Sequence, residues 1–117
     1  MKANIPKGKK GEDTAVQYLE QQGFKIIEKN WRFSRYGEID IIATDNDTLV
    51  FIEVKTRTST AFGHPTEVIT SKKLARMRKL AEIYINNNIC TEYKNFRIDL
   101  IGILAEKTIE ITHIKDI

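Results

Sequence analysis

The chain has 117 residues, of which 41% are hydrophobic and 30% charged, which describes a globular protein large enough for one domain with a core. No apolar run approaches the ~18 residues of a membrane-spanning helix, and the first residues lack the apolar stretch of a signal peptide. The single cysteine, Cys90, excludes an intrachain disulfide and a cysteine-based zinc site. These absences predict a cytoplasmic protein.

The net charge is +3, and five of the nineteen lysines and arginines fall within residues 71–79, SKKLARMRK. Clustered cations suit a polyanion such as nucleic acid. Most basic runs are simply solvated helix faces, so the charge leaves both interpretations open.

The hydrophobic pattern predicts one α/β domain over residues 1–117, with a loose leader at 1–8 and the element order α-β-β-β-α-β-β. The first helix is expected from about Lys9 to Gln22, ending at Gly23. The second begins at a capping Thr70 or Ser71 and runs to about Asn86. Strands are expected at 24–33, 38–44, 48–56, 96–104 and 109–114, with a loop at 59–68. The sheet is expected to be mixed and flanked by the helices.

The predicted hairpin at residues 37–57, GEIDIIATDNDTLVFIEVKTR, carries charges inside apolar strands. If its turn is centred between residues 46 and 47, opposed residues have numbers that add to 93. Asp40 then lies opposite Glu53, with Cβ atoms roughly 4.5–5.5 Å apart. Lys55 follows Glu53 by two residues, so both side chains point to the same face.

Two carboxylates that share such a site repel each other and resist joint ionisation. A divalent cation removes the conflict, because carboxylate, carbonyl and water oxygens suit Mg²⁺ or Mn²⁺. Lys55 would then orient or deprotonate a water, or stabilise a pentavalent phosphate. Alternatively, Lys55 simply neutralises Asp40 and Glu53 in a structural ion cluster.

Glu12 adds a fourth charge that faces inward. Val16 and Leu19 follow it at helical spacing, which places Glu12 on or beside the core-facing stripe of the first helix. The alternative is a capping or dipole role in the first helical turn.

Glu12 on a helix, Asp40 on a strand and Glu53-Val54-Lys55 on the next strand resemble the PD-(D/E)xK nuclease superfamily. That superfamily includes type II restriction enzymes and archaeal Holliday junction resolvases. More closely, residues 11–70 look like the YraN-type family of predicted endonucleases, through GEID, VFIEVKTR and FGxP, with FRIDLIGI near the end. Residue 39 is isoleucine where the superfamily name has proline.

The resemblance implies a single nuclease-like domain with a restriction-endonuclease-like core. It makes Asp40, Glu53 and the carbonyl of Val54 ligands of Mg²⁺ or Mn²⁺. It makes Lys55 the catalytic lysine and Glu12 an accessory acid. The expected function is endonucleolytic cleavage of nucleic acid, more readily DNA than RNA. The alternative is a non-catalytic nucleic-acid-binding module that keeps the metal site as a structural feature.

Five basic residues are candidates for binding phosphates, with a solvated face as the alternative: Arg57, Lys72, Lys73, Arg76 and Lys79. Lys73 lies near the start of the second helix, where anions bind well. A homodimer that cuts branched DNA is a further possibility.

Other side chains are expected to be structural. For Asp99 we expect pairing with an arginine or lysine of the sheet, and for His64 no specific role. The aromatic side chains Trp31, Phe33 and Tyr36 are expected to pack, with stacking on bases as the alternative.

Overall fold

The described residues contain two helices and five strands in the predicted order. A computed structural model describes residues 7–61, 63–88, 93 and 95–117. The elements are α1 (Lys7–Gln21), β1 (Lys25–Phe33), β2 (Gly37–Asp45), β3 (Thr48–Arg57), α2 (Ser71–Asn88), β4 (Asn95–Ala105) and β5 (Ile109–Ile114). Neither of these helices has the length and apolar character needed to cross a membrane.

Helix boundaries follow the expected signals. α1 begins at Lys7, two residues earlier than predicted, so the end of the expected leader is helical. It ends before Gly23, whose φ of 93° is a conformation that glycine adopts easily. Residues 1–6, Phe62 of the FGxP stretch and Cys90 lie outside the described residues.

The predicted loop at 59–68 holds one short element. A 3₁₀ turn spans Pro65–Val68, and Nδ1 of His64 accepts a hydrogen bond from the amide of Thr66 at 3.2 Å. His64 therefore has a capping role, where the sequence had indicated no specific one.

The sheet is mixed, as predicted. Its strands lie in the order β1-β2-β3-β4-β5, and every neighbouring pair is antiparallel except β3 and β4. A parallel pair needs a long crossover, and α2 lies in that connection. The α/β class and the mixed sheet are confirmed.

Each helix covers one face of the sheet. The face covered by α1 buries Ala15, Leu19, Phe24, Ile41, Ala43, Val50, Ile52, Ile101 and Ile103. The face covered by α2 buries Ile39, Ile42, Leu49, Phe51, Met77, Leu80, Ala81, Tyr84 and Ile98. Burial on both sides explains why the central strands are apolar on both faces.

The β2–β3 hairpin has the predicted register. Five backbone pairs run from Asp45 opposite Thr48 to Ile41 opposite Ile52, and the residue numbers of each pair add to 93. Asn46 in the turn has a φ of 56°, in keeping with the left-handed residues that tight hairpins use. The turn chemistry therefore sets which residues of β2 and β3 face each other.

The regular alternation of β2 is broken at Asp40, one residue past the last of these pairs. Ile39 packs with Ile42 on the α2 face, whereas strict alternation would place it with Ile41 on the α1 face. The predicted cross-strand pair of Asp40 and Glu53 therefore lies one position beyond the last backbone pair. At this position the side chains of β2 switch from one face of the sheet to the other.

Candidate active site

Asp40 lies where β2 separates from β3. Its Oδ2 accepts a hydrogen bond of 2.8 Å from the backbone amide of Val54. The carboxylate thus accepts from a backbone N–H of β3 that lies beyond the last β2–β3 pair. This bond fixes the carboxyl group beside the stretch Glu53-Val54-Lys55.

Glu53 is a buried carboxylate shared by two lysines. The residue is only 4% exposed. Its Oε2 lies 3.4 Å from Nζ of Lys55 and 3.3 Å from Nζ of Lys73. Lys55 shares the face of Glu53, as predicted. Lys73 instead reaches the site from the first turn of α2 and contacts a predicted metal ligand.

A cleft of about 370 Å³ brings most of the predicted site together. Its lining residues are Glu12, Glu38, Asp40, Glu53, Val54, Lys55, Thr56, Arg57 and Lys73. Glu38 is an addition that the sequence reasoning missed, although it stands two residues before Asp40 in the quoted GEID motif. The cleft therefore contains four carboxylates and three cationic side chains.

The electrostatics of Asp40 reflect this crowding. Burial, and then the negative charge of Glu53, raise the pKa of Asp40 to about 7, while the Val54 amide acts in the opposite direction. Glu12 and Glu38 add to the increase. A carboxyl group with this pKa binds a proton or a cation near neutral pH.

Glu12 reaches the cleft because α1 approaches β3 closely at Gly11. A Cβ atom on residue 11 would collide with the side chain of Thr56. Since α1 begins at Lys7, Glu12 lies in the second turn, and the alternative role in the first turn is wrong.

Asn30, a second residue that the sequence reasoning missed, forms a hydrogen bond with Glu12. Burial raises the pKa of Glu12, and a hydrogen bond from the side chain of Asn30 partly offsets the increase. Asn30 has a φ of 55° within β1, between the residues that pair with Ile39 and Ile41. An asparagine in a strand was the available signal, because asparagine is depleted in strands and tolerates a left-handed backbone.

The donor set of the cleft fits a hard divalent cation. Asp40 and Glu53 present carboxylate oxygens beside the backbone of Val54. In the described parts of the chain, no three Asp, Glu, His or Cys side chains form a ready group of metal ligands. A cation here would therefore take two carboxylates and complete its shell with a backbone oxygen and water, an arrangement that suits Mg²⁺.

The predicted phosphate-binding residues divide into two sets. Lys72, Arg76 and Lys79 are exposed on α2, whereas Arg57 and Lys73 line the cleft. Nε of Arg57 is buried and has no hydrogen-bond partner among the described residues. Buried donors are normally satisfied, so this nitrogen is an exception.

The aromatic side chains of the β1–β2 hairpin differ in how they pack. Trp31 packs against Tyr84 with ring centroids 5.2 Å apart, which confirms packing for Trp31. Phe33 and Tyr36 are 37% and 43% exposed. The ring of Phe33 stacks on that of Trp31 with centroids 6.2 Å apart, which confirms packing for Phe33. For Tyr36, the choice between packing and base stacking remains a prediction.

A second buried charged group, the Asp99 cluster (Asp99, Arg97 and His113), lies on the α1 face. Asp99 is 0% exposed. It accepts hydrogen bonds from Nε of Arg97 at 2.9 Å, Nε2 of His113 at 2.7 Å and the amide of Asp116 at 3.0 Å. The expected pairing of Asp99 with an arginine is confirmed, while His113 was missed.

The chain is similar to proteins that carry only a family name. Residues 11–103 match the model of "Uncharacterised protein family UPF0102". The chain is 46% identical to a UPF0102 protein of Persephonella marina, over 94% of this chain and 90% of the relative. It is 40% identical to one of Rhodococcus opacus, over 99% and 98%. All the residues assigned here to the cleft fall within the matched range, but these names state no activity.

Proposed function

Because the chain belongs to the UPF0102 family, whose name assigns no activity, we propose a function from its geometry. The protein is a metal-dependent endonuclease of the PD-(D/E)xK superfamily with a restriction-endonuclease-like core. It hydrolyses phosphodiester bonds of nucleic acid, in preference DNA. Mg²⁺ or Mn²⁺ is its cofactor.

The observation that carries this proposal is the unresolved repulsion at Asp40. An acid that only stabilises a fold would be surrounded by donors, yet Asp40 accepts one backbone hydrogen bond and the charge of Glu53 raises its pKa. Lys55 lies beside them on the same face of β3. Carboxylates, a lysine and a basic rim in one cleft are the parts that phosphodiester hydrolysis uses.

Each group has a chemical role in this proposal. Bound Mg²⁺ would supply Lewis-acid activation of the phosphate and of water. Asp40 and Glu53 would hold it with the carbonyl of Val54, and Glu12 would help to position it. The ammonium of Lys55 orients the attacking water and stabilises negative charge on the phosphate.

The remaining cations hold the substrate. Arg57 lines the cleft, and its guanidinium contacts a phosphate oxygen there. Lys72, Arg76 and Lys79 extend a basic stripe along α2. Contacts of this kind set position and affinity without reading sequence.

A cleavage panel tests the proposal. Wild-type and Asp40→Asn proteins, purified identically, are incubated with supercoiled plasmid, single strands, a four-way junction, a flap and an RNA. Each reaction contains Mg²⁺, Mn²⁺ or EDTA. We expect cutting by the wild type alone, abolished by EDTA, because the amide removes a charged ligand.

Two controls make this result decisive. Circular dichroism must show that Asp40→Asn is folded, since its side-chain oxygen can still accept from the Val54 amide. Asp13→Asn, an exposed change on α1, must retain activity. Equal cutting by wild type and Asp40→Asn would exclude this site.

A specific contact favours a second candidate function. Glu53 is already neutralised by two lysines, as expected of a nucleic-acid-binding module whose acidic site is structural. This candidate predicts salt-sensitive binding without cleavage in any metal. Charge reversal at Lys72 and Arg76 would weaken that binding, and Asp40→Asn would not. Assembly as a homodimer on branched DNA stays a prediction.

A further inference from the structure

Two ammonium groups of different origin converge on one buried oxygen. Lys55 comes from β3, the strand that also carries Glu53. Lys73 comes from α2, twenty residues away, and its side chain is 39% exposed. Both lie within 3.4 Å of Oε2 of Glu53. One carboxylate therefore has two positive neighbours, while Asp40 next to it has a backbone amide.

This arrangement is suited to the metal-free protein and opposes a metal. A divalent cation bound by Asp40 and Glu53 would lie beside both ammonium groups. Like charges at such separations repel each other, and the repulsion is stronger in a partly buried cleft than in water. At least one ammonium must move for a cation to bind well.

Lys73 is the group that can move. Lys55 belongs to the same strand as Glu53 and follows it by two residues, so its backbone holds it beside Glu53. Lys73 extends from the start of a surface helix on a flexible four-carbon stem. Its amide is already capped by the Thr70 hydroxyl at 3.1 Å, so the helix start does not depend on the Glu53 contact.

We propose that Lys73 is an exchangeable counter-ion of the site. In the metal-free protein it neutralises Glu53. When a divalent cation binds, Lys73 leaves Glu53 and turns to the mouth of the cleft, where its ammonium contacts a substrate phosphate. Metal binding thereby frees the ammonium of Lys73 to bind the substrate. This inference rests on the metal site of the proposed function and adds a positioning role for Lys73.

The destination of Lys73 is also consistent with its surroundings. Lys72 and Arg76 are exposed on the same helix, and Arg57 lines the same cleft. A released Lys73 would join these cations beside the N-terminal end of α2, where partial positive charge favours anions. Phosphate is therefore the ligand class that this end of the cleft suits.

Lysine labelling observes the exchange directly. The wild-type protein is treated briefly with acetic anhydride, with and without saturating Mg²⁺ at matched ionic strength, and acetylation is quantified by mass spectrometry. We expect Lys73 to be labelled several-fold faster with Mg²⁺, since its ion pair is broken. Lys72, exposed and unpaired with Glu53, is the matched control and should not change. Unchanged or slower labelling of Lys73 overturns the proposal.

Metal affinity gives a second and independent measurement. Lys73→Met removes the competing charge, so Mn²⁺ should bind about tenfold more tightly in titration calorimetry. Lys73→Arg restores the charge and should bind as the wild type does, and Lys72→Met should have no effect. A merely structural ion pair would instead lower the melting temperature of Lys73→Met and leave Mn²⁺ affinity unchanged, which would refute the exchange.

These measurements separate the inference from the proposed function. Neither needs nucleic acid or turnover, so absence of cleavage would leave a positive labelling result intact. Conversely, a protein that cuts DNA but keeps Lys73 equally protected with Mg²⁺ retains the proposed function and loses the exchange. A wild type that binds neither Mg²⁺ nor Mn²⁺ refutes both.

Discussion

Two acidic residues in one sheet, Asp99 and Asp40, have opposite electrostatic environments. Burial alone would raise the pKa of Asp99, but hydrogen bonds from His113, Arg97 and the Asp116 amide outweigh it and hold that pKa below its ordinary value. Asp99 is therefore a charge that the fold stabilises. Its hydrogen-bond donors already stabilise the charge, so no external cation is needed to do so.

Asp40 has the reverse arrangement. It accepts one backbone hydrogen bond and faces the charge of Glu53, so its pKa rises to about 7. The position differs as well, because Asp99 lies within β4 and Asp40 lies at the point where β2 leaves β3. The comparison teaches that burial alone does not identify a functional acid; the balance of its partners does.

The largest expected effect comes from Asp99→Asn. Breaking a buried ion pair costs about 3–5 kcal/mol, and in this variant Arg97 keeps only its ion pair with Asp45 among the described residues. We expect the free energy of unfolding, measured by urea denaturation, to fall by about 3 kcal/mol. Asp13→Asn, an exposed change, should alter it by less than about 0.5 kcal/mol. A loss below about 1 kcal/mol at Asp99 would mean that its cluster adds little to stability.

Asp40→Asn should act in the opposite direction in the metal-free protein. A carboxyl whose pKa rises on folding stabilises the fold below its ordinary pKa, and this contribution is lost as the pH rises through about 7. Wild-type stability should therefore decline by about 2 kcal/mol between pH 5 and pH 8 from this group. The amide carries no charge, so the variant should be more stable than the wild type at pH 8.

Measurement at the two pH values supplies its own control. At pH 5, below its raised pKa of about 7, Asp40 of the folded wild type is largely protonated, so the difference in urea midpoint between the two proteins should be smaller than at pH 8. The difference should be largest at pH 8, in EDTA. If Asp40→Asn is less stable than the wild type at pH 8, the carboxylate is a structural charge like Asp99, and the contrast between the two sites disappears.

The sequence predicted the parts of the fold that depend on local pattern. Apolar alternation gave the strands, and the turn at Asn46 fixed the register of the hairpin because both signals lie within a few residues. The same logic placed Lys55 beside Glu53. The family membership is likewise confirmed by UPF0102 relatives that span most of the chain, whereas the nuclease assignment remains a proposal.

The contacts that sequence reasoning missed join distant elements. Lys73 meets Glu53 only because α2 packs across the sheet, and His113 meets Asp99 only because β5 pairs with β4. Asn30 meets Glu12 because β1 passes beside α1. Hydrophobic periodicity shows which face of an element is buried, but it does not state how far a neighbouring helix or strand is shifted along that face.

The smallest expected effect tests how far the Asp99 cluster extends. The hydroxyl of Tyr18 lies 2.9 Å from Nδ1 of His113, whose other ring nitrogen contacts Asp99. Tyr18→Phe keeps the ring and removes this one hydrogen bond. We therefore expect the free energy of unfolding to fall by about 1 kcal/mol, well below the effect of Asp99→Asn.

Tyr36→Phe is the matched control, because Tyr36 is an exposed tyrosine at the first hairpin turn. It should leave the urea midpoint unchanged. A loss at Tyr18 as large as that of Asp99→Asn would show that His113 is held in place from α1, and that helix packing and charge compensation form one cooperative unit. If Tyr18→Phe causes no loss of stability, the charge of Asp99 is stabilised only by the groups that donate to it directly. The contrast with Asp40 would then depend on those direct hydrogen bonds alone.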